Sequence, residues 1–399
     1  MNSFFNQMND DLRAHGLGQP MLLIDDDALN FNIAYVKQQL ASAKHLKPRL
    51  VVKSLACLPL LKKLSFDLDT RHFMVFHIDH LELMFNHFDQ ADLLFGKPMP
   101  IRAVERFYQN HHTPIKCKIH WLIDSFARLQ QYHALADQLG LSFNINLEID
   151  VGLHRGGVQN SAEFIQMLNY IQQHQKTLNL SGLMGYDAHV TKLPKVVKRA
   201  ETAYAESQHI YQNYQHILKH QFPDLNHAQL CFNGGGSPTF SFHVKHSVCN
   251  DLSFGSMLLK PSDFDSEYLS SLKPALYIAS PVLKVLDQVS LPGMPSFKKI
   301  KFFQKHQAVF IYGGYWMGQY VYPAKSHPHL LYGRSTNQEM ICVDRKIDIH
   351  PDDYVFIRPS QSEVVIPHFN RTYLYRKENE WNSSDLETSR FEPWENFRE

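Results

Sequence analysis

Between Pro20 and Pro261, short apolar runs alternate with longer stretches in which apolar residues recur every three or four positions, the rhythm of a strand followed by an amphipathic helix. Eight such runs stand near Val51 and at 73–76, 93–95, 120–123, 145–149, 181–184, 230–232 and 252–254. Unbroken apolar strands of this kind suit a parallel sheet covered on both faces. Helices are predicted from Ala28 towards Lys44, then through Leu64, and over 126–139, 162–175 and 195–220, with Asp25, Asp26 and Asp27 as candidate caps of the first. Eight strand–helix repeats predict a (β/α)8 barrel; an open doubly wound sheet is the competing α/β architecture.

The rhythm changes after Pro261. Short β-type runs at 276–280, 282–286, 308–312, 340–343, 354–357, 364–366 and 373–375 are separated by turn residues such as Gly313-Gly314 and Pro351-Asp352. They predict a second, all-β domain. A strand at 21–24 precedes the barrel and fits either unit. The expected organisation is a barrel over 20–265, a β-domain from 1–19 and 266–380, and a polar tail over 381–399.

Composition narrows the class. The 399 residues exceed one ordinary core, and a hydrophobic content of 44% is that of a folded globular chain. A net charge of +1 gives no field for nucleic acid or an anionic membrane, and no apolar run is long enough to span a bilayer. The five cysteines are scattered and odd in number, which points to a reducing compartment. The N-terminal stretch has no apolar signal segment. A cytoplasmic location is therefore expected.

The chemistry should sit at the C-terminal ends of the barrel strands. The first strand, Leu50-Val51-Val52, runs into Lys53. An amine at a buried strand end is poorly hydrated, which favours its neutral, nucleophilic form; the competing reading is a lysine that snorkels into water. Strand five leads into Asp150-Val151-Gly152-Leu153-His154-Arg155-Gly156-Gly157, and strand six into Gly185-Tyr186-Asp187-Ala188-His189. Strands seven and eight lead into Asn233-Gly234-Gly235-Gly236-Ser237-Pro238-Thr239 and Gly255-Ser256. Glycines there let main-chain amides converge on an anion, and barrels often hold a phosphate at these two loops. Lysine, arginine and phosphate cradle at one mouth suit pyridoxal phosphate, and a sugar-phosphate aldolase would use similar parts. Each residue also has a plainer reading: Arg155 as a rim ion pair with Asp150 or Glu148, Tyr186 as packing, His189 as a bystander.

Taken together with Lys47-Pro48-Arg49 ahead of the lysine strand, these motifs stand in an order that resembles the D-threonine aldolase/D-serine dehydratase-like family, of the alanine racemase fold type. The resemblance runs from about Pro20 to Arg376. It implies a barrel plus β-domain, a head-to-tail homodimer, and pyridoxal 5'-phosphate held as a Schiff base by Lys53, which also shuttles the substrate's α-proton. It further implies Arg155 and Tyr186 beside the cofactor, His189 near the substrate, and Gly235, Gly236, Ser237, Gly255 and Ser256 around the phosphate. Relatives acting on 3-hydroxy amino acids often bind a metal through a His-x-Cys or His-x-Asp pair after a proline. Here that stretch reads Pro359-Ser360-Gln361-Ser362-Glu363, and the upstream Glu-His-Gly appears as Asn337-Gln338-Glu339-Met340, so no metal is expected. Where some relatives place an arginine on strand eight, Ser253 stands.

Three functions follow from this reading. The first is a lyase acting on a D- or 3-hydroxy amino acid, with His189 or Glu363 as the base for the hydroxyl proton. The second is a racemase, which needs a second base on the opposite face of the substrate, with Tyr312 and Tyr315 as candidates. The third is a non-catalytic cofactor carrier or amino-acid sensor.

Overall fold

A computed structural model describes residues 2–111, 116–194, 196–287, 305–329, 332–377 and 390–397. Helix α1 (Asn2–His15) and strand β1 (Met21–Asp25) precede the barrel. The barrel strands are β2 (Lys47–Val51), β3 (His72–Val75), β4 (Asp92–Phe95), β5 (Lys118–Ile123), β6 (Phe143–Glu148), β7 (Leu178–Gly185), β8 (Cys231–Gly234) and β9 (Asp251–Phe254). They are parallel throughout and close on themselves in chain order, with Leu50 of β2 in register with Phe254 of β9. The eight predicted runs are these strands, shifted by one to three residues at their ends.

Around them lie α2 (Asp26–Ala41), α3 (Leu58–Asp67), α4 (Ile78–His87), α5 (Ile101–Asn110), α6 (Phe126–Leu139), α7 (Ser161–Gln173), α8 (Ala200–Gln221) and the short α9 (Phe240–Lys245). Asp25 stands at the N-cap of α2 but its side chain makes no capping bond. Asp26 and Asp27 instead meet Arg376 and Lys377 at 3.2 and 2.5 Å, joining the barrel's first helix to the β-domain. Helix α8 begins at Ala200, later than predicted, because Lys192 and Leu193 fold back on the carbonyl of His189 and Val197 and Lys198 on that of Pro194.

The second sheet is built from β1, β10 (Leu276–Leu286), β11 (His306–Tyr312), β12 (Gly318–Tyr322), β13 (His327–Pro328), β14 (Gln338–Asp344), β15 (Tyr354–Pro359), β16 (Arg371–Tyr375) and β17 (Phe391–Glu395). Strand β1 belongs to this sheet, antiparallel to β10 and parallel to β16. Several expectations are corrected here. The runs at 276–280 and 282–286 form one strand, because β10 passes Pro281 and changes partner from β15 to β11 across a bulge at Val282/Lys284. The run at 364–366 is no strand: the Ser362 carbonyl accepts from both Val365 and Ile366 amides, and Pro367 follows without a donor. Part of the presumed polar tail is strand β17, held by buried Phe391 and Trp394; residues 381–389, 398 and 399 lie outside the described residues. Among the described residues no helix is long and apolar enough to cross a membrane.

Candidate active site

Strand alternation decides which side chains reach the barrel interior. The lower layer, Arg49, His72, Asp92, Cys231 and Asp251, lines a polar recess of about 280 Å³ at the N-terminal end. Two residues further along the same strands, Val51, Met74, Asn233 and Ser253 line a cavity of about 480 Å³ at the C-terminal end.

Arg49 ties the floor together. Fully buried, it bonds Asp251 through Nε at 2.6 Å and Asp92 at 2.7 Å, and it donates to the Phe73 and Asp92 carbonyls. Burial pushes the Asp92 carboxyl up, but Arg49 and His120 outweigh it and hold it far below the usual carboxylate range. Burial likewise opposes ionisation of Asp251, yet Arg49 and His72 bring it to about 2. This layer links upward, since Asn233 donates to Asp251 at 2.6 Å and to the Ser253 hydroxyl at 2.8 Å.

At the mouth the chain places Lys53 differently from the expectation. Strand β2 stops at Val51, and Lys53 lies in the single 3-10 turn that follows. It is half-buried, with Nζ 4.5 Å from the centre of the Phe76 ring. Phe76 itself, just past β3, walls the cavity. Lys53, Arg155, Tyr186, Gly235, Gly236, Ser237, Gly255 and Ser256 all line this cavity. Arg155 lies over the Tyr186 ring, 5.0 Å from its centre. Burial raises the Tyr186 hydroxyl, against the pull of Arg155. Asp150 is not Arg155's ion partner: its carboxylate accepts the Gly152 and His154 amides at 3.0 Å and faces His154 Nδ1 at 2.8 Å, so it shapes the loop.

The glycine loops form a tight cradle. Gly235 has a φ of +76°, and a Cβ there would stand 2.4 Å from Leu252 Cδ1. A Cβ on Gly255 would meet Val51 and Ser54 at 3.1 Å. Ser237 Oγ accepts the Gly255 and Met257 amides at 3.2 and 3.1 Å, joining the two loops. The Gly236 amide is turned inward to the Thr239 hydroxyl at 3.1 Å.

A second chamber of about 730 Å³ opens from the first, sharing Lys53, Phe76, Gly96, Arg155 and Glu363 with it and adding His77, Lys97, Asp124, Glu148 and His368. Burial, reinforced by Asp124 and Asp150 and opposed by Arg155, raises the Glu148 carboxyl to about 7. Glu363, from the loop after β15, lines both chambers and accepts from the Ser256 hydroxyl at 3.4 Å and the Ser362 hydroxyl at 3.3 Å. Gln361 donates to Asp263 at 2.9 Å. Among the described residues no group of three or more His, Cys, Asp or Glu side chains is arranged to hold a metal ion.

The structure separates His189 from this set. It lies behind Gly152, its Nε2 3.1 Å from where a Cβ would stand, and it lines neither chamber. Burial lowers its basicity, with Asp187 and Asp150 opposing. Phe76 and Glu148 were not singled out as site residues by the sequence. Phe76 looked like the end of an apolar run, and Glu148 only like an ion partner of Arg155. The lining, an amine, hydroxyls beside bare glycine backbone, and flat rings, fits an aromatic aldehyde carrying a phosphate.

The family of the alanine racemase N-terminal domain matches residues 24–262. Among solved structures the chain is similar to D-threonine aldolase from Filomicrobium marinum, with a TM-score of 0.71, 15% identity, and coverage of 95% of this chain and 97% of that one. It is also similar to D-threo-3-hydroxyaspartate dehydratase from Delftia sp. HT23 (TM-score 0.70, 15% identity, 95% and 97% covered). Alanine racemase from Clostridium difficile 630 is a third such structure (TM-score 0.65, 18% identity, 90% and 96% covered). No curated protein matches the chain.

Proposed function

The chain belongs to the alanine racemase N-terminal domain family, and from that premise we propose that it is a pyridoxal-phosphate-dependent lyase acting on a D- or 3-hydroxy amino acid. The observation that carries the reading is one cavity lined by Lys53, Arg155, Tyr186 and both glycine loops. Pyridoxal phosphate bound there supplies an electron sink for negative charge at the substrate's Cα. Lys53 is the residue that attaches the cofactor and moves the proton at Cα. Ser237, Ser256 and Gly235 would hold the phosphate, and Gly255 lines the pocket with its amide already bonded to Ser237. Arg155, stacked on Tyr186, orients the ring and its oxygen.

Cleavage or dehydration of a 3-hydroxy amino acid also needs a group for the hydroxyl. Glu363 takes this role, since it lines both chambers beside Lys53, whereas His189 lines neither. The same reading carries a homodimer. A racemase is the second reading: Tyr312 and Tyr315, the candidates for its second base, are 45% and 60% exposed, as residues offered to a partner's site must be.

The test is incubation of the holoenzyme with a panel of D- and L-amino acids in deuterated water, followed by chiral analysis and assays for aldehyde, ammonia and oxo acid. A lyase releases aldehyde or ammonia from a D- or 3-hydroxy substrate. Inverted, deuterated amino acid without those products overturns the lyase in favour of the racemase. Retained cofactor with no turnover of any substrate overturns both.

A further inference from the structure

Behind the phosphate cradle, and on the far side of it from the cavity, lies a run of polar groups that the proposed chemistry does not use. Asp187 is 1% exposed and follows Tyr186, yet it turns away from the cavity. Its Oδ2 lies 2.8 Å from Nε2 of His243, which is also 1% exposed. Its Oδ1 accepts from the Thr239 hydroxyl at 2.8 Å. His243 Nδ1 in turn meets the Ser247 hydroxyl at 2.8 Å. A carboxylate can only accept, so the Nε2–H donates to Asp187, and Nδ1 stays in hydrogen-bond contact with Ser247.

The consequence for Thr239 is directional. Its hydroxyl has one proton, and the carboxylate at 2.8 Å takes it in preference to the Gly236 carbonyl at 3.4 Å. The oxygen's lone pairs are then fixed towards the Gly236 amide, which donates to it at 3.1 Å. This bond closes the turn Ser237–Thr239. The first residue of that turn is Ser237, whose hydroxyl accepts the Gly255 and Met257 amides and so joins the strand β8 loop to the strand β9 loop. The His243 ring also lies directly under the glycines: a Cβ on Gly234 would meet its Cε1 at 3.3 Å, and one on Gly235 its Cδ2 at 2.9 Å.

We propose that Asp187, buttressed by His243, is a positioning residue for the cofactor's phosphate: through Thr239 it sets the turn that brings the two halves of the cradle to one geometry. The proposal rests on the cofactor reading above. It assigns the aspartate of the Gly185–His189 segment, and not its histidine, to the site. Asp187 acts through Thr239, so its effect falls on affinity for the phosphate group and not on proton transfer at Lys53. The Gly236, Gly255 and Met257 amides are engaged inside the loops, so the network acts on the shape of the cradle, and a cradle that must first be ordered forfeits part of the binding energy.

The experiment compares dissociation constants for pyridoxal 5'-phosphate and for pyridoxal, which lacks the phosphate, by spectral titration of the apo full-length protein. The variants are Thr239→Val, Thr239→Ser and Asp187→Ala. Thr239→Val keeps the shape and removes the hydroxyl; Thr239→Ser keeps the hydroxyl and is the conservative rescue. Thr239→Val and Asp187→Ala should weaken pyridoxal 5'-phosphate by about tenfold, the loss of one charge-assisted bond and the order it imposes. They should leave pyridoxal within about twofold, and Thr239→Ser should match wild type. Equal weakening of both ligands would assign the network to general stability and overturn the proposal, as would unchanged affinities in Thr239→Val. Should the wild-type protein bind neither ligand, the cofactor reading itself fails, an outcome distinct from the other two.

Discussion

Glu148 lines the second chamber with Asp124, Asp150 and Arg155 as its charged neighbours, and its carboxyl is raised from 4.5 to about 7. A carboxyl raised on folding contributes stability that is fully present below pH 4.5 and is lost as pH rises through 7. Glu148→Gln removes that dependence. The variant should therefore match wild type near pH 4.5 and exceed it by on the order of 2 kcal/mol at pH 8, read by denaturant unfolding at both pH values. An advantage that does not change with pH would contradict this. A second residue-scale outcome concerns Gly235, where both the φ of +76° and the 2.4 Å approach of Leu252 exclude a side chain. Gly235→Ala should lose cofactor by dialysis under conditions in which wild type retains it. At this scale Lys53 and the two glycine loops were legible, because an amine after an apolar run and clustered glycines are local signals. The part played by Asp187 was not, because it depends on His243, 56 positions away.

Strands β2, β3, β8 and β9 each carry a floor residue, Arg49, His72, Cys231 or Asp251, and two positions later a cavity residue, Val51, Met74, Asn233 or Ser253, so the floor and the site are set by one alternation. Arg49 holds the floor against two carboxylates that burial alone would not allow to ionise. Arg49→Met should cost about 3–5 kcal/mol at pH 7, because buried Asp251 and partly buried Asp92 both lose their arginine. In wild type both carboxylates are depressed on folding and their contribution is lost only as pH falls to about 2 and below, whereas without Arg49 burial favours their neutral forms, which pH 3.5 populates. The penalty should accordingly shrink at pH 3.5, measured by urea unfolding; an equal penalty at both pH values would show that packing and not charge is at stake. The barrel strands were readable as elements because each is a short run buried on both faces. The run at 364–366 misled because apolar residues beside Pro367 read as a strand, while the bonds to Ser362 that make it a turn leave no trace in hydropathy.

On the scale of the whole molecule, the chain's first and last described segments close the β-domain. Phe5 on α1 stands 5.4 Å from Tyr277, 5.0 Å from Phe356 and 5.7 Å from Tyr322 between ring centres, and the Asn9 side chain accepts the Tyr354 amide. Phe5→Ala should cost about 3–5 kcal/mol and speed amide exchange in β1, β10 and β15 before the barrel strands; exchange unchanged in those strands would contradict the packing. Residues 1–19 were assigned to the β-domain with no helix read there, because α1 is a polar stretch with single apolar residues and only the folded sheet shows what they cover. The proposed homodimer predicts a particle of twice the 46.4 kDa chain mass by light scattering. The account as a whole depends on one amine meeting one cofactor. Borohydride reduction of the holoenzyme followed by peptide mapping tests it most directly. The account predicts a single pyridoxyl-modified lysine at Lys53 and none in Lys53→Ala; a modified lysine elsewhere, or an unmodified chain, would contradict it.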